Sequence, residues 1–211
     1  MCGIHLDRQD PFAEVDLWVN YRMQETPQNL VNRAFGRHDI TLHIDDGCMG
    51  GGGLQIPYSG KLFDNKEGTP NYIQYKHDSV FFSKDRIGIF HYAIFCKYIY
   101  HIHCTTKKEM KVKTDGLAER AFTDKNGNIR QGGDWMLFAI PYAIHYYGSS
   151  FVDDEYVASL FMHELGHNIG LFEDNPNWGC MEGAFTKIVD YEDGWSHINP
   201  SVIQYCGNDE V

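Results

Sequence analysis

The first regular pattern in the chain is an alternation of apolar and polar residues. Val15, Leu17 and Val19 alternate with Asp16, Trp18 and Asn20, which predicts a strand with one buried face. Thr26-Pro27 then marks a helix start, with proline at the first helical position. Leu30, Val31, Ala34 and Phe35 share one helical face, and Gly36 is the stop signal. Ile40, Leu42 and Ile44 alternate again as a second strand. This strand–helix–strand order predicts a parallel pair joined by a right-handed crossover.

Asp45–Asn71 is rich in Gly, Asp, Asn and Pro and reads as a long loop; Gly50–Gly53 is its only low-complexity run. Phe81–Ile102 is aromatic and β-branched. Ile89–Phe95 predicts a strand, although Ile87, Phe90 and Ile94 also fit a helical stripe. Thr105–Gly133 is polar, with a turn or hairpin expected at Asp124–Asn128, and Asp134–Ile140 reads as a further strand. Asp153 or Asp154 then caps an amphipathic helix that runs to about Ile169, with Tyr156, Val157, Leu160 and Phe161 on its apolar side and Gly170 at its end. Little regular pattern follows Gly170. The expected fold class is mixed α/β (α+β).

Composition narrows the function classes. A length of 211 residues fits one domain, long enough to bury a core without a metal or disulfides to hold it. Hydrophobic residues make up 43% of the chain and charged residues 22%, which argues against wholesale disorder. The formal charge of −11 argues against nucleic-acid partners, because phosphate binding needs clustered Lys and Arg. Lys107, Lys108, Lys111 and Lys113 form the one basic cluster, read as a solvated loop. No run approaches the ~20 apolar residues of a membrane span; Ile87–Ile102 is interrupted by His91, Lys97 and His101. Met1–Asp10 has no basic segment followed by an apolar one, so no signal peptide is expected there. The six cysteines show no CxxC pair, and their number chooses neither disulfides nor free thiols.

The chemistry concentrates in His163-Glu164-Leu165-Gly166-His167. Residues four apart on a helix lie on one face, a turn apart, so both imidazoles can reach a single Zn²⁺ at ~2.0–2.1 Å. Glu164 points roughly 100° around the helix, beside the ion, where it can take a proton from water. A merely hydrogen-bonded core helix would bury two histidines and a glutamate at considerable cost. A catalytic zinc usually keeps three protein ligands and one open position. Gly170 can turn the chain sharply after His167, and Glu173, three residues on, can swing back to the same ion. Asp174 is a nearby competitor, and Glu192 a distant one.

HELGHNIGLFED resembles the metzincin clan of zinc endopeptidases, whose signature is HExxHxxGxx followed by His or Asp. The match holds at His163, Glu164, His167 and Gly170 and departs at Glu173, where the clan has His or Asp. Asn175-Pro176-Asn177-Trp178-Gly179-Cys180-Met181 is similar to the methionine turn under the zinc of that clan, and resembles the corresponding segment of small bacterial and archaeal HELGH proteins. The resemblance is close over residues 163–181, faint over about 12–160, and silent on 182–211. It implies a single catalytic domain over residues 1–211. A sheet-bearing N-terminal lobe would take about 12–170, and a short irregular C-terminal lobe about 171–211. The sheet is expected to be twisted and mixed, with an antiparallel edge strand lining the cleft, in Phe90–Tyr98 or Asp134–Ile140. The implied activity is zinc-dependent peptide-bond hydrolysis of a peptide or protein substrate. Glu164 would be the base, His163, His167 and Glu173 (or Asp174) the ligands, and Met181 the floor. The resemblance also implies secretion. A tyrosine two residues after the methionine is absent, since Gly183 stands there; Tyr191 is a weak substitute.

The altered third-ligand position leaves open a second reading, a latent or non-catalytic zinc-binding protein of the same fold. The intact Glu164 argues against it, because a structural zinc needs no base and is usually closed by four protein ligands. Two other groups have plain explanations. His101 and His103 share one side of a strand without a third partner and read as ordinary packing. Cys2-Gly3 resembles the Cys-Gly element by which some metzincin pro-segments block the zinc, but an incidental or disulfide-bonded cysteine explains it as well.

Overall fold

The computed structural model describes residues 12–17, 22–37, 39–48, 52–56, 62–63, 82–86, 89–102, 106–119, 122–123, 129–131, 133 and 135–170. The first alternation becomes strand β1 (Phe12–Leu17), with Ala13 and Val15 buried. Helix α1 (Glu25–Gly36) follows and buries Val31, Ala34 and Phe35 along one face. Strand β2 (His43–Asp45) is shorter than the alternation of Ile40, Leu42 and Ile44 suggests, yet all three side chains are buried. β1 and β2 pair in parallel, as the strand–helix–strand order predicts.

β4 (Phe90–Phe95) pairs in parallel with β1, and β10 (Trp135–Phe138) in parallel with β4. Strand character therefore wins over the helical stripe around Phe90. Every residue of β4 is buried, as expected of an interior parallel strand covered on both faces. The sheet ends on β7 (Gly116–Ala118), antiparallel to β10, giving the order β2-β1-β4-β10-β7.

This order corrects the expected position of the antiparallel edge. Phe90–Tyr98 supplies an interior strand, and Asp134–Ile140 supplies the strand next to the edge. The edge itself is three residues of Gly-Leu-Ala, too short to show any alternation. Other short strands were equally invisible: β3 (Leu62–Phe63), β5 (Ile99–Ile102) and β6 (Glu109–Lys111) form a second sheet. β8 (Phe122–Thr123) and β9 (Ile129–Gln131) pair antiparallel on either side of the expected turn.

Two apolar clusters sandwich the five-stranded sheet, and strand alternation sorts residues between them. Ala93, Phe95, Met136 and Phe138 face the cluster shared with α1. Tyr92, Ile94, Trp135 and Leu137 face the opposite cluster, with Ile56, Phe82, Cys96 and Ile99. Helix α2 (Ile140–Tyr147) follows β10 directly, where the sequence pattern suggests only the end of a strand; Pro141 in its first turn is the overlooked start signal.

Helix α3 (Asp154–Asn168) begins at an Asp153 N-cap whose carboxylate accepts the Tyr156 N–H at 2.9 Å. It packs against α1, β7 and β10. Every residue from Ala158 to Asn168 is buried, so α3 is a central helix without the polar side that the expected amphipathic pattern implies. The helix ends at Gly170, whose φ of +93° favours glycine over any side-chain-bearing residue. The C-terminal lobe expected over about 171–211 lies outside the described residues. No described helix is long and apolar enough to cross a membrane.

Candidate metal centre

The histidine pair lies in the last two turns of α3, where the helix is enclosed on all sides. His163 and His167 are only 8% and 5% exposed, and Glu164 only 4%. The two imidazole rings have centroids 4.7 Å apart and stand nearly perpendicular, at 83°. That separation lets one nitrogen of each ring approach a common ion at ~2.0–2.1 Å, so the pair fits two of the ligands of a divalent metal. Among the described residues, no group of three His, Cys, Asp or Glu side chains is close enough to hold an ion by itself. The expected third ligand, Glu173 or Asp174, lies outside the described residues, as do Glu192, Met181 and Tyr191.

Glu164 is set against the edge strand. A Cβ built on Gly116 would overlap Glu164 Oε1 and stand 2.9 Å from Leu160 Cδ1. The missing side chain of this glycine therefore makes the space that the carboxylate occupies. Close backbone approach is one of the few reasons to find glycine inside a strand.

The preceding residue brings in a second carboxylate. The Tyr156 hydroxyl donates to Asp115 Oδ2, while the Asp115 carbonyl accepts the Ala139 N–H at 2.6 Å. Burial pushes the Asp115 carboxyl above the usual carboxylate range, opposed by the N–H groups of Asp115 and Gly116 and by the charge of His163. Tyr147 also senses this group: its hydroxyl is raised by burial first and by the Asp115 charge next. Nothing in the sequence pattern singles out Asp115-Gly116, because what makes the pair significant is a contact between positions about 45 residues apart.

A buried polar network fixes the end of the helix. Asn168 Nδ2 donates to the carbonyls of Glu119 (2.7 Å) and Trp135 (3.1 Å), which leaves Oδ1 as an acceptor. His91 Nδ1 lies 3.1 Å from that oxygen and 3.0 Å from the Gly133 carbonyl. Both neighbours are acceptors, so His91 carries its proton on Nδ1 and donates to them. Gly133 N–H completes the set by donating to the Asn168 carbonyl at 2.8 Å. His91 is legible in retrospect: a histidine inside an apolar run must find a hydrogen-bond partner if the run is buried. The histidine pair is thereby carried on a helix end bonded to β4, β10 and the chain leaving β7. Compared with known proteins, the chain matches no family model, and no curated protein aligns with it significantly.

Proposed function

We propose that this chain is a metzincin-like, zinc-dependent endopeptidase. The observation that carries the reading is the buried trio on α3: two imidazoles spaced for one ion, with the Glu164 carboxylate beside them against a sheet edge. His163 and His167 would hold Zn²⁺, with Glu173 or Asp174 as the third ligand and Met181 as the floor. When bound, the ion lowers the pKa of a water towards ~7 and so supplies a nucleophile at neutral pH. Glu164 would accept a proton from the attacking water and deliver it to the leaving amine nitrogen, acting first as base and then as acid. The substrate peptide lies extended along β7, adding to the sheet through main-chain hydrogen bonds. β7 takes the place of the edge first expected in the longer strands.

Two measurements test this. The purified protein should bind one equivalent of Zn²⁺ and cleave casein or a peptide library, and a chelator should abolish cleavage until zinc is restored. Zinc bound without cleavage would instead favour the latent form, and a protein that binds no zinc would remove the reading altogether. Gly116→Ala provides an independent check on the geometry. Its methyl group displaces the Glu164 carboxylate by an ångström or so, and misplacement on that scale can cost ~10²-fold in rate. Zinc binding should be retained; an unchanged kcat would show that the carboxylate does not work from beside β7.

A further inference from the structure

We infer that a cavity at the carboxyl ends of the parallel strands binds a small zwitterion with a branched aliphatic side chain, the class of a free amino acid such as leucine or valine. It lies at the end of the sheet opposite the histidines.

The topology points to this place first. The four parallel strands lie in the order β2-β1-β4-β10, so the chain turns to one side of β1 and later resumes on the other. Leu17 pairs with Phe95, and Phe95 with Phe138, so β1, β4 and β10 end level. Beyond β1, Met23 and Val31 enter the apolar cluster on one face of the sheet; beyond β4, Cys96 and Ile99 enter the cluster on the other. Connections that leave adjacent strands for opposite faces open a crevice at the carboxyl ends, where open α/β sheets place their ligands.

A cavity of about 150 Å³ occupies that crevice. Its lining gives the class of ligand. Phe95, the last residue of β4, and Pro27 of α1 are buried, while Ile140 and Val157 are half-buried; together they make an apolar wall. An apolar space of this size takes about six carbon atoms, the scale of one aliphatic side chain and far below that of a nucleotide. Two exposed side chains of opposite charge, Arg22 and Asp154, complete the lining. Among the described residues, no ion pair joins them to each other, so both can serve a ligand. The Arg22 guanidinium donates to a carboxylate, the Asp154 carboxylate accepts from an ammonium group, and the apolar wall takes the side chain between them.

This cavity is separate from the candidate metal centre. Asp154 opens α3 and His167 lies near its end, so at ~1.5 Å per residue the two sites are ~20 Å apart. Asn168 bonds to the carbonyl of Trp135, the first residue of β10, which puts the histidines at the amino ends of the strands. The inference does not rest on the zinc reading, and neither falls with the other.

The test is calorimetric titration of L-leucine into the whole chain. Saturable one-to-one binding is expected, with glycine, which lacks the side chain, at least tenfold weaker. Arg22→Gln and Asp154→Asn should each weaken leucine binding about fivefold or more. Isovalerate keeps the side chain and carboxylate but lacks the ammonium group, so its weaker binding should respond to Arg22→Gln and not to Asp154→Asn. Val157→Phe fills the cavity and should abolish leucine binding; if that variant does not fold, the two exposed positions decide alone. A wild-type protein that does not bind leucine overturns the inference, as does binding that none of these variants weakens. Isovalerate bound as tightly as leucine would make this an anion site and overturn the zwitterion.

Discussion

Glu164→Ala should bind zinc as the wild type does and lose peptide cleavage by about 10²–10⁴-fold, the usual contribution of a positioned acid–base group. The expectation is sharp because Glu164 lies outside the proposed ligand set. The two imidazoles occupy the face defined by residues 163 and 167, and the glutamate projects to the side, towards Gly116. Deleting its carboxylate therefore leaves both imidazoles in place and removes only the group proposed to take and return the proton. The carboxylate is also nearly fully buried, so bulk buffer has poor access to replace it. Zinc content, thermal midpoint and kcat/KM should be measured on the same preparation. Cleavage at the wild-type rate would refute the assigned role of Glu164, and loss of zinc would mean that the glutamate holds the metal itself.

The second large effect concerns stability. Phe161 is fully buried and stacks on Phe138 with ring centroids 5.5 Å apart, and Phe138 stacks in turn on Phe95 at 4.9 Å. These three rings join α3 to two of the interior strands, β10 and β4. Phe161→Ala removes a large apolar side chain from a site enclosed on all sides, and truncations of this kind cost about 3–5 kcal/mol. A fall of that size in the free energy of urea unfolding is expected, with a nearly unchanged denaturant slope. A loss below about 1 kcal/mol would show that α3 does not pack on the sheet through this residue.

The sequence makes some of these features plain and hides others for physical reasons. The first two alternations and helix α1 are legible because apolar positions that recur at the period of a strand or a helix can be read. α3 is legible by its Asp153 cap, its Gly170 stop and the apolar positions between them, although its burial from Ala158 to Asn168 leaves it without the polar side that an amphipathic pattern implies. His163, Glu164 and His167 stand out because a short helical spacing sets their geometry. Asp115, Gly116 and the His91–Asn168 bond do not, because each acquires its meaning from a partner far away in sequence. The antiparallel edge fails for a different reason: three small residues carry no pattern, while the longer strands that seemed suited to the edge are apolar on both faces and belong inside.

The strand order β2-β1-β4-β10-β7 also bears on how the chain reaches this state. β1 must find β4 nearly 80 residues later, and β4 must find β10 some 40 residues beyond that. α3, from residues 154–168, then closes one face of the finished sheet. Pairings this distant place the protein among slow-folding topologies, since loop closure must precede the contacts that reward it. During synthesis from the N-terminus, the apolar face formed by Ala13, Val15, Ala93 and Phe95 has no α3 to cover it until residue 168 has emerged. The helix that carries the histidines is thus also the last part of that core to arrive, and a chain stopped short of it would expose a sheet face prone to aggregation.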